Sequence, residues 1–472
     1  MARTVSPGIN EELAGPPRTL EPTARQERIS SMDVLRGVAL MGILIANVTS
    51  FGLPSWAYSV PLGTPKPVFE GPHAHINTIC WFARWIIVEG KMRGLFSMLF
   101  GAGVILLTGR AEKRGAGDQV ADVFLRRNMW LVLFGVLHAY LIWFGDILYW
   151  YGLTALIFLY PARKLKPKTL LVVGGCVLAV NLLGSLGGGQ ALQDMRLKSH
   201  AAAASEAQRA GRVLTDSQKA DQQTWTNRLQ AWQPNQKVIA EDLSATRAGY
   251  ISDQTKDAPV AMDMESHLYY NLAFCDVLGM MLLGMGLFKN GFFTAQLSYR
   301  TYAWTACIAM VISVPVVTLS AWKAWASGFD LLTTEEWLFF TLDIGRTSGA
   351  IAIAALVLLI VKARIFPWGI GRIAAVGQTA LSNYLLTNIF CKLLFVWGPW
   401  KLYGRLEYYQ LYYVVAATWI VNLAWSTRWL KCFEFGPAEW VWRSLTYWKR
   451  QPMRLRADLN LTDEHVVKLF RY

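Results

Sequence analysis

Residues Ser30 to Asn47 read SSMDVLRGVALMGILIAN, and the reading of this stretch decides the fold. It opens an apolar run over 33–53, and about 20 such residues in a helix cross a bilayer. Asp33 and Arg36 stand in its first turn, three apart and therefore on one helical face. Asn47 follows fourteen residues after Asp33, nearly four turns and roughly 21 Å further at ~1.5 Å per residue. One helix would thus carry a charge pair at one membrane face and an amide near the other. Ionisable groups in a span are costly and mark functional candidates; the alternative is that Asp33 and Arg36 merely flank the span at the interface.

The same kind of run recurs along the chain. Of 472 residues 54% are hydrophobic and 17% are charged, against about 25% charged in soluble domains. The expected fold is all-α, a polytopic transmembrane bundle of about ten helices. The candidate spans are 33–53, 76–109, 129–145, 147–161, 169–188, 268–288, 301–320, 337–361, 373–397 and 409–430. The second is interrupted by E-G-K-M-R-G at 89–94, which predicts a short helix, a bend and a second helix. Residues 1–27 form a polar tail predicted to be disordered, and 451–472 form a second tail. Between them lie an N-terminal transmembrane half, 28–188, a polar insert, 189–266, and a C-terminal half, 267–450.

A net charge of +14 could point to nucleic acid, but its distribution points to topology instead. With the N-terminus inside, the inner connections carry Arg110, Lys113, Arg114, Arg126, Arg127, Arg163, Lys164, Lys166 and Lys168, and later Lys289, Arg300, Lys362, Arg364 and Arg372. The short outer connections carry Lys66, Lys323, Lys401 and Arg405. Positive-inside asymmetry therefore predicts both termini in the cytoplasm of a bacterial plasma membrane, with the bilayer and not nucleic acid as partner. The insert falls outside, where it either covers an outer opening or is a tolerated insertion. The six cysteines form no C-x-x-C pair, so neither a disulfide framework nor a metal site is expected. No Walker, G-x-S-x-G or H-E-x-x-H motif is present. The G-A-G at 101–103 reads as small-residue helix packing.

Chemistry is expected from the intramembrane polar residues. His138 and Asp146 are eight apart, about two turns, so both can point the same way. A histidine beside an acid can serve as a general base near neutral pH. The competing reading is a neutral histidine bridging helices. His73 and His75 stand at the outer entrance of the second span, as vestibule or exposed-loop residues. Arg84, Glu89, Lys91 and Arg93 interrupt that span and call for an aqueous or protein-lined cavity. Asp343 and Arg346 suggest an internal ion pair, and Asp276 and Asn383 suggest helix bridging.

Several segments resemble one family. The opening S-M-D-V-L-R-G-V-A-L-M-G-I-L-I-A-N, then E-G-K-M-R-G-L-F-S-M-L-F-G-A-G and F-G-V-L-H-A-Y-L-I-W-F-G-D-I-L, resemble stretches of the domain of unknown function 418 (YeiB-like) membrane proteins. G-Q-T-A-L-S-N-Y-L-L and F-E-F-G-P-A-E-W-V-W-R-S-L-T-Y are similar to that family's C-terminal half. The resemblance places the chain with the transmembrane acyltransferases. It implies helices around a central channel and acyl transfer from cytoplasmic acyl-CoA to an acceptor on the far side. Acyltransferase-three proteins carry a catalytic histidine fourteen residues after the first-helix aspartate, whereas this chain has Asn47 there.

The leading expectation is an acyl-CoA-dependent O- or N-acyltransferase without a metal, with acetyl-CoA the first donor to consider. Asp33, Arg36, Lys91, Arg93 and Arg126 would hold the CoA at the inner mouth, and the arginines and lysine would meet its phosphates. His138 would be the base, Asp146 its orienting acid, and Asn47 a donor to the oxyanion. The acceptor would be a glycan, a lipid or a small metabolite, and a homodimer stays open. The rival is a transporter using the same residues as a substrate or proton path.

Overall fold

The computed structural model describes residues 29–455 apart from 114, 116, 118 and 188. The tails expected at 1–27 and 451–472, and Arg114, therefore lie wholly or largely outside the described residues. The described chain is helical, with one isolated bridge between Phe433 and Arg454. The first half comprises α1 (Ser30–Gly52), α2 (Ala74–Ala83), α3 (Lys91–Lys113), α4 (Gln119–Leu141), α5 (Leu148–Thr154) and α6 (Pro167–Gly187). The insert forms α7 (Gln190–Arg209), α8 (Asp216–Trp232), α9 (Gln236–Arg247) and α10 (Tyr250–Asp263). The second half comprises α11 (Phe274–Lys289), α12 (Tyr299–Ala326), α13 (Leu342–Lys362), α14 (Pro367–Gln378), α15 (Ala380–Lys392), α16 (Leu411–Cys432) and α17 (Pro437–Tyr447).

Among the described residues, six helices are long and apolar enough to cross a membrane. A seventh is added if the pair Tyr250–Asn271 and Phe274–Lys289, bent by 67°, counts as one span. The chain is thus a helical membrane protein by composition, with fewer long apolar helices than the ten runs expected. The difference lies in α4 and α16, which have polar side chains along their length, and in Leu148–Ala162, which is short.

The bundle is organised around α1, which packs on α3, α13, α14, α15 and α16. Hydrophobic residues line all its faces, as suits a helix enclosed by neighbours. Some helix contacts in the bundle are close enough to exclude side chains. A Cβ on Gly377 of α14 would strike the Asp33 carbonyl of α1, and one on Gly101 of α3 would strike the Met281 carbonyl of α11. The small-residue packing read from G-A-G is therefore the α3–α11 crossing.

The break at 89–94 has a local cause. The helix from Ala74 runs on through a widened turn, Arg84–Val88. Gly90 then adopts φ +70°, a left-handed conformation that ends a helix and suits glycine. Lys91 donates to the Trp85 carbonyl at 3.0 Å, so its ammonium sits at the negative end of the helix that has just stopped.

The insert is built into the bundle. Arg228 pairs with Asp194 at 2.7 Å and with Glu335 at 2.6 Å. Trp232 donates to the Phe329 carbonyl at 2.9 Å, and Arg247 to the Tyr403 carbonyl at 2.6 Å. Lys392 of α15 pairs with Asp253 at 2.7 Å and Asp257 at 2.9 Å, both on α10. Tyr250 reaches the Leu141 carbonyl at the end of α4. These anchors place the insert over the end of the bundle where α1 and α4 finish. The insert is thus firmly anchored at that end, which is compatible with both a cover and a tolerated insertion.

Candidate functional site

At the other end of α1 the helices leave a cavity of about 240 Å³. It takes Ile29, which precedes α1, and from α1 Met32, Asp33, Arg36, Leu40 and Ile43, the spacing of one helical face. From α4 it takes Phe124, Arg127, Asn128 and Leu131, the same spacing again. Helices α3, α14, α15 and α17 and the segment from Ile147 to Tyr151 complete the wall. Ile29 to Ile43 spans fourteen residues, so the cavity runs for roughly 21 Å along α1 at ~1.5 Å per residue. It is narrow for that length, and it lies below the ~300–1,000 Å³ usual for sites that enclose a drug-sized ligand. Its length suits an extended ligand.

Charge collects at one end. Arg36, Arg110, Arg127 and Arg443 line the cavity, against two carboxylates, Asp33 and Glu439. Arg36 is 3.0 Å from Asp33. Arg127 lies over the Trp442 ring at 3.7 Å, and Trp442 Nε1 donates to its carbonyl at 2.8 Å. Glu439 is engaged elsewhere: it accepts from the Leu381 and Ser382 backbone N–H groups at 2.7 and 3.2 Å and from the Ser382 hydroxyl. It thereby caps the start of α15 and ties α17 to the cavity floor. Beyond the arginines the wall turns apolar, with Leu40, Ile43, Phe96, Leu99, Phe100, Leu131 and Leu148, and it ends at Tyr384.

Past Tyr384 lies a second cavity of about 10 Å³, enough for one water, lined by Asn47, Asn388, Thr387 and Asn422 among others. His138 stands behind this wall and is buried. Its Nδ1 is 3.1 Å from Asp146 Oδ1, an ion-pair distance without hydrogen-bond alignment. Its Nε2 is 2.8 Å from Asn388 Nδ2, and its ring is 5.0 Å from that of Tyr384. The other ring nitrogen, Nδ1, faces Asp146. Asp146 is fixed in turn by the Tyr149 N–H at 2.7 Å.

The expected base and acid are therefore together. Asn47 is not beside them; it shares the small cavity with Asn388, which makes the contact to His138. His138 reaches neither cavity directly, because Asn388 and Tyr384 stand in front of it.

Three of the expected CoA contacts are corrected. Arg126 bonds the Asp122 carbonyl from an exposed position, and the cavity takes its neighbour Arg127. The helical period through Phe124, Asn128 and Leu131 selects 127 over 126, so this was readable. Lys91 and Arg93 lie at the opposite end of α3 from Arg110, about twenty residues away, and are absent from the cavity wall. Arg93 pairs with Asp276 at 2.6 Å, Asp276 with Arg346 at 2.9 Å, and Arg346 with Asp343. Glu89 pairs with Arg84 at 2.7 Å and accepts from Tyr58 at 3.0 Å. The charges at the break form a buried, protein-lined network, and neither cavity borders Glu89, Lys91 or Arg93.

Asp33 and Arg36 both line the cavity and pair at 3.0 Å. Asp343 and Arg346 are an ion pair, and Asp276 and Asn383 do bridge helices, Asn383 through Thr379 and Ser426 at 2.9 Å. His73 pairs with Glu407 at 2.9 Å from an exposed position, and His75 is exposed. Asn388, Tyr384 and Glu439 were not singled out from sequence. Asn388 lies 250 residues from His138, and Glu439 lies 57 and 58 residues from Ser382 and Leu381.

Residues 287–449 match the family described as "Protein of unknown function (DUF418)". The chain is 30% identical over 434 residues to uncharacterized protein YeiB of Escherichia coli (strain K12), covering 89% of this chain and 96% of that protein. It is 29% identical over 453 residues to uncharacterized protein YxaH of Bacillus subtilis (strain 168), covering 93% of this chain and all of that protein. An uncharacterized 39.9 kDa protein of Bacillus acidopullulyticus is 25% identical over 442 residues. No solved structure matches. With its C-terminal half matching the family model and YeiB aligned over nearly its whole length, the chain belongs to the DUF418 family.

Proposed function

We propose that the protein is a plasma-membrane acyltransferase with both termini cytoplasmic, taking an acyl group from cytoplasmic acyl-CoA to a hydroxyl or amine on the far side. The observation that carries this reading is the cavity: four arginines at one end of a narrow apolar slot that runs toward a buried histidine. Acyl-CoA is an anionic head on a long thin arm that ends in an acyl group, and each part has a counterpart in that slot. The phosphates meet Arg36, Arg110, Arg127 and Arg443, whose guanidiniums favour phosphate oxygens. The arm lies along Leu40, Leu99 and Leu131, and the thioester comes up against Tyr384.

The chemistry is assigned to His138. When Asn388 turns aside, His138 Nε2 takes the proton from the acceptor's O–H or N–H, and the acceptor atom bonds to the thioester carbonyl carbon. Asp146 stabilises the resulting imidazolium, and the amides of Asn47 and Asn388 donate to the oxyanion. The C–S bond then breaks, and the leaving thiolate receives the proton back from His138. No metal enters this scheme.

A transporter of an amphipathic anion is the second reading. It is favoured by the two cavities in series along α1, with Tyr384 shared between them. Inverted membrane vesicles separate the two readings. When acetyl-labelled acetyl-CoA is supplied to their outer, cytoplasmic face, label is expected to reach an acceptor on the inner side. His138→Ala is expected to lower that transfer by about 10²–10⁴-fold. Unchanged transfer by the variant would overturn the assignment of the base, and uptake of an intact anion without acyl transfer would establish the transporter.

A further inference from the structure

The two cavities lie end to end along the same two helices. On α1 the larger cavity reaches Leu40 and Ile43, and the smaller one takes both again and continues to Asn47. On α15 the larger cavity takes Leu381 and Tyr384, and the smaller one takes Tyr384 again and continues to Asn388. Both series advance in steps of three and four residues, so each helix presents one face to both spaces. Leu40, Ile43 and Tyr384 border both cavities and therefore form the partition between them. Leu40 and Ile43 belong to the α1 wall, whereas Tyr384 reaches in from α15 and packs with Leu40 in one apolar cluster. Its place is fixed from behind. Its ring lies 5.0 Å from that of His138, and its hydroxyl donates at 3.4 Å to the Gly145 carbonyl, in the turn after α4. The chemistry of the wall changes at the same point. In front of Tyr384 stand Leu40, Leu131 and Leu148; beyond it stand the amides of Asn47, Asn388 and Asn422.

We propose that Tyr384 sets the length of the acyl group the protein accepts and restricts it to short chains such as acetyl. This rests on the acyl-CoA reading and names its donor class. In that reading the arm fills the slot, so the acyl group has only the room in front of Tyr384. A longer hydrocarbon meets two obstacles there. The buried ring is backed by His138 and tied to Gly145, and forcing extra methylenes into a packed site strains it. Past the ring, hydrocarbon would cover the amides around the smaller cavity and give them no hydrogen bond in return. The smaller cavity, about 10 Å³, has room for one water and not for a chain. Bulk backed by polar groups is a stop, whereas a site for fatty acyl groups needs a continuous apolar tunnel.

The test is a titration of purified full-length protein in detergent with CoA, acetyl-CoA and octanoyl-CoA. Wild type is expected to bind CoA and acetyl-CoA alike, and octanoyl-CoA more weakly by about tenfold or more. Tyr384→Ala removes the ring and joins the two cavities. It is expected to bind octanoyl-CoA more tightly than wild type does, by about tenfold or more, with CoA binding unchanged. Tyr384→Phe keeps the ring without the hydroxyl and is expected to keep the wild-type preference, which separates the bulk of the ring from its bond to Gly145. If Tyr384→Ala does not melt as a folded protein, Tyr384→Leu replaces it, with the same direction of change expected; if neither folds, the wild-type preference decides. Wild type that binds octanoyl-CoA as tightly as acetyl-CoA would overturn this inference and leave the acyl-CoA reading standing. So would a folded Tyr384→Ala or Tyr384→Leu that keeps the wild-type preference. Wild type that binds none of the three would overturn the acyl-CoA reading itself.

Discussion

Two regions of the bundle hold clustered arginines, and they differ in what faces them. At the break after α2, Arg84, Arg93 and Arg346 each pair with a carboxylate, Glu89, Asp276 or Asp343, and Lys91 caps a helix end. At the start of α1, four arginines line a cavity with two carboxylates, one of which is held by the backbone of α15. The first region is closed on itself. The second sets its arginines on the wall of a cavity. The residue types are the same, so the presence of buried charge does not mark a site. What distinguishes the second region is that its charges line a cavity.

The largest effect expected from this contrast is in the closed network. Asp276→Ala removes the carboxylate shared by Arg93 and Arg346 and leaves two cations buried. Breaking such a pair typically costs about 3–5 kcal/mol, so the variant should accumulate poorly and melt far below wild type. A variant of normal abundance and melting temperature would show that the network is not a structural core.

Arg36→Ala tests the open region. Arg36 is partly exposed and its link to Asp33 is an i,i+3 pair, so the stability change should be within about 1 kcal/mol. Acyl-CoA binding should instead weaken about tenfold, as loss of a charge-assisted bond to phosphate implies. Collapse of the protein without a selective binding defect would move Arg36 into the same class as Arg93. The smallest effect belongs to the surface. His73→Ala loses an exposed pair with Glu407 and should change stability by less than about 1 kcal/mol, with transfer activity unaltered. A large loss of activity would return His73 to the list of candidate bases.

Much of this contrast was legible in the sequence, but unevenly. Hydropathy located α1 and most of the long spans, and the E-G-K-M-R-G break was placed to within a residue of Gly90. The sequence pairs His138 and Asp146 on a helical spacing of about two turns, but α4 ends at Leu141 and the turn after it is what brings Asp146 back to His138. Arg93 could not be assigned, because its partner Asp276 is 183 residues away and only the α3–α11 crossing brings them together. Asn388 and Tyr384 were hidden for the same reason. The role of the insert was illegible because its anchors, such as Lys392 on Asp253 and Asp257, join segments with no shared sequence signal. Local period reads one helix face. It does not read which face meets which.

The central claim is that the arginine-rimmed cavity binds acyl-CoA. Its most direct test is a titration of purified wild-type protein with acetyl-CoA in detergent, at low and at moderate ionic strength. Saturable binding is predicted, weaker at the higher salt because the rim is partly exposed and its charge is screened. Absence of saturable acetyl-CoA binding at low salt, in protein that is folded by its melting curve, would contradict the account.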